Sequence, residues 1–480
     1  MMRAGAIIAA LAASLAAGST PARADTLQEA LTQAYLNNPT LMAARAQQRA
    51  TDESVAVEKA AGRPSVSTNG SLTEFVQQSS TSFFTPDRAL NAGVDLGVPI
   101  YSGGAVKNAV RAAEERVEAG RADLRGTESA IFSQVVAAYM DVLRNQAIVG
   151  LNANQVDVLA INAEATGDRF EIGDLTRTDV AQSQSRLALA QSDLQSAQAN
   201  LIGARENYIA LVGEAPTDLQ PPPPLPGLPA SVEEAVDVAL FQNPDLIAAK
   251  ERAQAADYDI DVAGAGRSPR ISVFTGYDYQ NFLGSVPDGL QDPDDPTSPI
   301  IASPQTSTAA QAGISFTLPI FQGGRPAALQ RQAQARAAAA LENVIAAERD
   351  VIAQVRSSWS SWQASLAIIR SSQIAVDAAE LSLEGVRAEN SIGNRTILDV
   401  LNAEQELLNA RASLVSAQVD QTVAGYTLLS AMGLLTASHL GLNVQIYDPS
   451  AYYNLVRDAP AALSEQGRAL DRVLEAIGDR

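Results

Sequence analysis

The sequence contains no cysteine and a single histidine, His439, among its 480 residues. The first absence excludes disulfides, thiolate metal sites and the lipid attachment point of a bacterial lipoprotein. The second rules out the paired histidines of a helical zinc motif, and a single one near a helix end reads as a structural residue. Lysine occurs only as Lys59, Lys107 and Lys250, and no phosphate-cradling glycine loop with a following lysine is present. Beyond the first two dozen residues, no stretch reaches the roughly 18 uninterrupted apolar residues that a membrane-spanning helix requires. Little is left from which to build a convergent catalytic site. No enzyme activity, cofactor or metal is therefore expected, and energy for any transport must come from a partner.

The chain opens with Met1, Met2 and Arg3, runs through "AGAIIAALAASLAAG" and reaches Ala22-Arg23-Ala24. A charged start, a short apolar core and a small-x-small site read as a secretory signal over residues 1–24. Losing Arg3 and Arg23 takes the 34 basic residues to 32 against 54 acidic ones, a formal charge of −22. The exported chain is acidic, which repels phosphate backbones and excludes nucleic acid as a partner. An exported protein without a spanning helix is either soluble or crosses a bilayer as strands.

Two halves share one plan. "TLQEALTQAYLNNPTLMAARAQ" from residue 26 matches "SVEEAVDVALFQNPDLIAAKER" from residue 231, setting Asn38-Pro39 over Asn243-Pro244 and Pro64 over Pro269. Further on, "VPIYSGG" at 98–104 returns as "LPIFQGG" at 318–324, and the offset of 220 then pairs Gly173 with Gly393, Asp179 with Asp399 and Gly213 with Gly433. The division is a signal at 1–24, a first repeat at 25–213, a proline-rich linker at 214–230, a second repeat at 231–433 and a C-terminal segment at 434–480. The linker, "EAPTDLQPPPPLPGLPA", reads as a stiff polyproline-like crossing.

Within each half the hydrophobic period changes. Val66, Thr68, Gly70 and Leu72 alternate with small or polar residues, as do Ala92, Val94, Leu96, Val98 and Ile100. In the second half the series are Ile271, Val273, Thr275, Tyr277, Tyr279 and Ala310, Ala312, Ile314, Phe316, Leu318. Four dyad strands of about ten residues match transmembrane β-strands, although an ordinary sheet with one wet face has the same pattern. After each glycine pair follows a proline-free stretch of over sixty residues, a helix of roughly 90–100 Å at 1.5 Å per residue. A returning helix then carries heptads: Leu187, Ala190, Leu194, Ala197, Leu201, Ala204, Tyr208 in one copy, and Leu407, Ala410, Leu414, Ala417, Gln421, Ala424, Leu428 in the other. Alanine at every second seam position lets helices approach closely.

Four strands cannot close a barrel, since the smallest membrane barrels have about eight. Open edges in lipid leave backbone groups unpaired at several kcal/mol each, so strands that span a membrane must share one barrel with other chains. At the strand-to-helix joint, Pro99 and Pro319 are expected to end pairing, while Gly103, Gly104, Gly323 and Gly324 allow unusual torsions.

The twofold repeat, the two joints and the turns "RFEIGDLTRTDVAQSQSRLALAQ" and "AENSIGNRTILDVLNAEQELLNA" resemble those of the TolC family of outer-membrane efflux and secretion channels. The C-terminal "LGLNVQIYDPSAYYNLVRDAP" resembles the branch that serves type I protein secretion. The resemblance implies a mixed, mainly α fold: a homotrimer sharing a twelve-stranded antiparallel transmembrane β-barrel, four strands per chain, continuous with a long α-helical coiled-coil barrel. It also implies docking to a periplasmic adaptor and to an inner-membrane ABC or proton-driven transporter. The barrel would sit in outer-membrane lipid, the helices in the periplasm, and the cargo would be exported protein or small molecules.

At the hairpin turns, Gly173 and Gly393 stand where a helix C-cap is wanted, and Thr176 and Thr396 precede Asp179 and Asp399 by three residues, a capping-box pattern. The aspartates are thus either caps or, in a closed tube, lumen-facing charges multiplied by symmetry into a cation-favouring ring. Carried over from the family, the ring acid falls at Asp399, a network arginine at Arg395 and its partner acid at Asp179. Asn402 and Asn390 stand where the family's best-known pattern has a second ring acid and a network tyrosine, which implies a weaker cation trap and a looser closed state. Asp288, Asp292, Asp294 and Asp295 read as a solvated outer loop, Trp359 and Trp362 as packing residues, and the tail beyond Ala461 as a short amphipathic helix. A periplasmic coiled-coil adaptor that spans no membrane is the rival function; duplication and dyad strands argue against it.

Overall fold

The computed structural model describes residues 26–77, 86–223, 225, 227–286, 297, 304–458, 468–469 and 471–473. The signal at 1–24, the four aspartates of the insert and nearly all of the tail beyond Ala461 lie outside the described residues. In chain order the elements are α1 (Leu27–Asn37), α2 (Pro39–Ala60), β1 (Ser65–Glu74), β2 (Arg88–Tyr101), α3 (Ala105–Glu171), α4 (Arg177–Val212), α5 (Val232–Gln242), α6 (Pro244–Gly264), β3 (Arg270–Asn281), β4 (Thr306–Thr317), α7 (Arg325–Ser391), α8 (Ile397–Ala431) and α9 (Pro449–Val456). They divide between two compact units. One draws on residues 1–46, 122–247 and 346–447, the other on 47–121, 248–345 and 448–480.

In the first unit the repeated Asn-Pro pair has a double task. Proline opens α2 and α6, where its missing N–H costs nothing. Asn38 Oδ1 accepts from the Thr40 and Leu41 amides at 3.0 and 3.3 Å while Nδ2 donates to the Leu211 carbonyl at 2.9 Å. Asn243 repeats this, accepting from Asp245 and Leu246 at 2.9 and 3.3 Å and donating to the Ala431 carbonyl at 2.9 Å. Each asparagine thus caps a short helix and supplies a donor to the carbonyl-rich end of a long one. The core around them contains fully buried Tyr139, Phe132, Leu31 and Leu41. Tyr139 Oη donates to the Gln220 carbonyl at 2.7 Å and accepts from the Gln220 amide at 3.1 Å, which fixes one end of the proline-rich segment.

Helices α3 and α7 each run 67 residues, about 100 Å at 1.5 Å per residue. Their returning partners α4 and α8 carry the seam. In α4 the buried seam members are Ala190, Ala197, Ala204 and Tyr208, while Leu187, Leu194 and Leu201 stay half-exposed. The small residues make the close backbone approach and the leucines cover its flanks. In the second hairpin Val376, Ala379 and Leu383 pack against Val400, Ala403 and Leu407.

The second unit holds one antiparallel sheet of order β1-β2-β3-β4. Pairing of Thr68 with Val94, Val94 with Tyr277 and Tyr277 with Ala310 sets the apolar rows of all four strands on a single face. That face is bare in the chain: Val66 and Ile314 are 70% and 73% exposed. The opposite face carries Ser67, Asn69, Asn91, Asp95, Asp278 and Gln311, matched by Ser67↔Asp95, Gly93↔Asp278 and Gly276↔Gln311. β1 and β4 are both edges.

One expectation about the joint fails. Pro99 does not end pairing: β2 continues through it, with Pro99 opposite Ser272, a shift at Ile100 and Tyr101 opposite Ile271. A bulge lets the ladder pass a residue without an N–H. In the second copy β4 stops at Thr317, before Pro319. Gly103, Gly104, Gly323 and Gly324 all have positive φ, from +58° to +87°, and at Gly103 a side chain would meet Ser268 as well. In the same unit α9, capped by Asp448 on the Ser450 amide at 2.8 Å, lies on α2: Tyr452 Oη donates to Glu53 at 2.7 Å and Lys59 Nζ to Asp458 at 3.0 Å.

Candidate functional site

The two hairpin turns have the same backbone. The Asp174 amide bonds the Arg169 carbonyl and the Gly173 amide the Phe170 carbonyl, both at 2.9 Å, while Asn394 bonds Glu389 at 2.9 Å and Gly393 bonds Asn390 at 3.0 Å. This is the Schellman arrangement, which satisfies the last carbonyls of α3 and α7 and needs a left-handed residue at its turn. Gly173 and Gly393 supply it, with φ of +85° and +81°.

Each returning helix then starts in a full capping box. Thr176 Oγ1 accepts from the Asp179 amide at 3.3 Å and Asp179 Oδ2 from the Thr176 amide at 2.9 Å; the Thr396–Asp399 pair matches at 3.3 and 3.0 Å. Both carboxylates also accept from the threonine hydroxyl at 2.7 Å. These bonds hold both acids below the ordinary carboxylate range, with the threonine hydroxyl as the first cause and its amide as the second. The two aspartates are therefore caps in this chain. Every bond that the carboxylates accept goes to Oδ2, and both aspartates remain partly exposed.

A pH dependence follows with a definite sign. Because the folded pKa lies below that of the unfolded chain, about 3.9, the caps contribute their stability above that value. They lose it only as pH falls through the lowered one. A carbon-13 carboxyl titration of Asp399 is expected to show a midpoint under the ordinary range; a midpoint at or above it contradicts this reading.

The basic residues at the tips stay within their own hairpins. Arg169 binds Asp174 with Nη2 at 2.6 Å and Nε at 2.7 Å, and Arg395 Nε binds Glu389 at 2.8 Å. Asn390 Nδ2 donates to the Arg395 carbonyl at 2.8 Å. The link expected between Arg395 and Asp179 is not formed in the chain: Glu389 lies closer in sequence and on the same hairpin, and Asp179 is taken up by its cap. Instead the hairpins meet through Arg186, whose Nη2 donates to Asn402 Oδ1 at 2.7 Å. Leu401 packs beside this contact on Leu159 and Ala190.

Arg186 escaped the sequence reading. One signal was available, since the 220-residue offset sets Arg186 against Glu406, an opposite charge at a duplicated position. The second hairpin is further tied by Arg387 to the buried Glu404 and by Arg411 to Glu380 at 2.6 Å. The same positions in the first hairpin are Gly167, Gln184, Gln191 and Ala160, none of which carries a charge.

Among the described residues no helix is long and apolar enough to cross a membrane, and no cluster of acidic or histidine side chains is arranged to hold a metal.

Comparison with known proteins gives a consistent answer. The family model described as outer membrane efflux protein matches residues 30–214 and 235–434. The outer membrane efflux protein BepC of Brucella suis biovar 1 is 32% identical over 437 residues, covering 91% of each chain. The alkaline protease secretion protein AprF of Pseudomonas aeruginosa is 27% identical over 325 residues, 66% of this chain and 64% of that one. The crystal structure of the outer membrane protein VceC from Vibrio cholerae shares the fold, with a TM-score of 0.69 at 24% identity over 85% of this chain and 96% of that chain.

Proposed function

The chain belongs to the outer membrane efflux protein family, and from that premise we propose that three copies form one outer-membrane channel-tunnel with a shared twelve-stranded barrel. A member of this family is a passive transport channel of the outer membrane and not an enzyme. The sheet carries the membrane span and the long hairpins form the periplasmic tunnel. A periplasmic adaptor and an energised inner-membrane transporter, ABC or proton-driven, drive the cargo. The cargo is small molecules, exported protein or both; of the relatives, BepC is named for efflux and AprF for secretion of an alkaline protease.

The observation that carries the reading is the sheet: one face apolar, the other polar, and both edges open. In an antiparallel strand every second residue turns both backbone groups outward, so β1 and β4 each leave roughly ten unpaired groups. In lipid each costs several kcal/mol. A lone chain therefore cannot insert, and edges of neighbouring copies must meet.

The hairpin tips are the gate. Asp399 presents its unoccupied Oδ1 to the entrance, where threefold repetition makes a ring of carboxylates that holds cations. Asn402 lacks the charge of a second ring acid but accepts the Arg186 bond, so the closed state is held by a clasp between a guanidinium and an uncharged amide across the hairpins.

Single-channel recording in a planar bilayer tests this. The wild type is expected to conduct in discrete steps and to be blocked by divalent cations. Asp399→Ala should weaken the block, and Arg186→Ala should raise the resting conductance. Strong block that survives Asp399→Ala contradicts the ring, and an Arg186→Ala channel that conducts like wild type contradicts the clasp.

A further inference from the structure

On the polar face of the sheet one residue breaks the pattern. Phe274 sits among Ser272, Gly276, Asp278 and Gln280, where every other bulky side chain is hydrophilic. Its cross-strand partners are glycines on both sides, Gly97 on β2 and Gly313 on β4. The ring leans over the second of these: a methyl group placed on Gly313 would lie 2.8 Å from Cζ and 3.0 Å from Cε1. The arrangement recurs along the same face. A methyl on Gly93 would lie 2.7 Å from Asn69 Oδ1 and 2.9 Å from Asp278 Oδ1, and one on Gly276 would lie 2.8 Å from Asp95 Oδ1. These glycines also stand directly opposite the side chains that cover them.

Small and large residues thus alternate across the strands, the means by which interior positions of a barrel are fitted to its curvature. An aromatic laid over a strand glycine also shields backbone that would otherwise be bare. We propose that Gly313 is a socket that seats the Phe274 ring flat against the barrel wall and so sets the bore of the export lumen. The inference rests on the barrel reading above, in which the polar face lines the lumen. With the socket empty of side chain, the ring covers wall. With the socket filled, the ring is the part that must move, because its far edge makes the contact and backbone does not, and the free direction is into the lumen. Three copies then project three rings into one cross-section.

Gly313→Val, Phe274→Ala and the double variant are compared with wild type as full-length, detergent-extracted protein, by heat-modifiable migration and by planar-bilayer conductance. Currents are recorded on the native tip and again with Arg186→Ala, so that the tip does not limit them. Gly313→Val is expected to lose conductance and to unfold at lower temperature, and Phe274→Ala is expected to reverse both losses in the double variant. A Gly313→Val channel with wild-type current overturns the proposal, as does a defect that persists unchanged when Phe274 is alanine. Failure of the barrel reading looks different, since the wild type itself would then form no conducting oligomer.

Discussion

Arginine in place of Val94 is expected to abolish the folded, membrane-inserted assembly. Val94 lies mid-strand on the apolar face, between Thr68 and Tyr277, and is 50% exposed in the single chain. A charge at the midplane of a lipid-facing strand costs about 2–4 kcal/mol. Three copies bring the penalty to roughly 6–12 kcal/mol per assembly, comparable with the whole stability of a domain. Heat-modifiable migration of outer-membrane extracts should then show no folded band. Arginine at Asn91, one face over on the same strand and opposite Ser71 and Gln280, should leave that band in place. Equal loss in both variants would mean that the face now called apolar does not meet lipid.

The second large effect is expected at Gly433, where the duplicated halves provide their own control. Gly433 and Gly213 both end long helices in the left-handed region, with φ of +76° and +93°. Alanine at either site meets the left-handed penalty of about 1–2 kcal/mol. Only at Gly433 would the methyl group also strike backbone, 2.4 Å from the Gln242 carbonyl oxygen and 2.7 Å from Asn243 Cα; at Gly213 nothing lies within 4 Å. The obstructing atoms belong to the connector held by the Asn243 bond to Ala431, so they cannot rotate away. Overpacking adds about 1–3 kcal/mol. Thermal unfolding of detergent-extracted protein should therefore fall much further for Gly433→Ala than for Gly213→Ala. Similar shifts would show that the close approach at Gly433 contributes nothing.

The features that sequence made legible are those with a strict local period. The dyad rows around Val94 and Tyr277 and the heptads around Ala197 and Ala417 could be read because burial repeats every two or every three to four residues. The tips were legible in part. Thr176–Asp179 and Thr396–Asp399 follow a local capping pattern, but whether the acids also face a lumen depends on copies that one chain does not contain. What stayed hidden was set by tertiary contact. Nothing local tells that Arg186 reaches Asn402, 216 residues away, or that Asn38 and Asn243 each serve two helices. Pro99 misled for a related reason, because a bulge at Ile100 reconciles it with a ladder that proline ordinarily interrupts. The place of Phe274, too, depends on a tertiary pairing, since only the register sets Gly313 opposite it.

The native mass of the detergent-extracted protein, measured on the same sample that is offered to a planar bilayer, bears most directly on the claim that the sheet is closed by neighbouring copies. A mass of three chains accompanied by stepwise conductance is the expected result. A single chain, soluble without detergent and silent in the bilayer, would mean that the two open edges are never joined and that no channel forms.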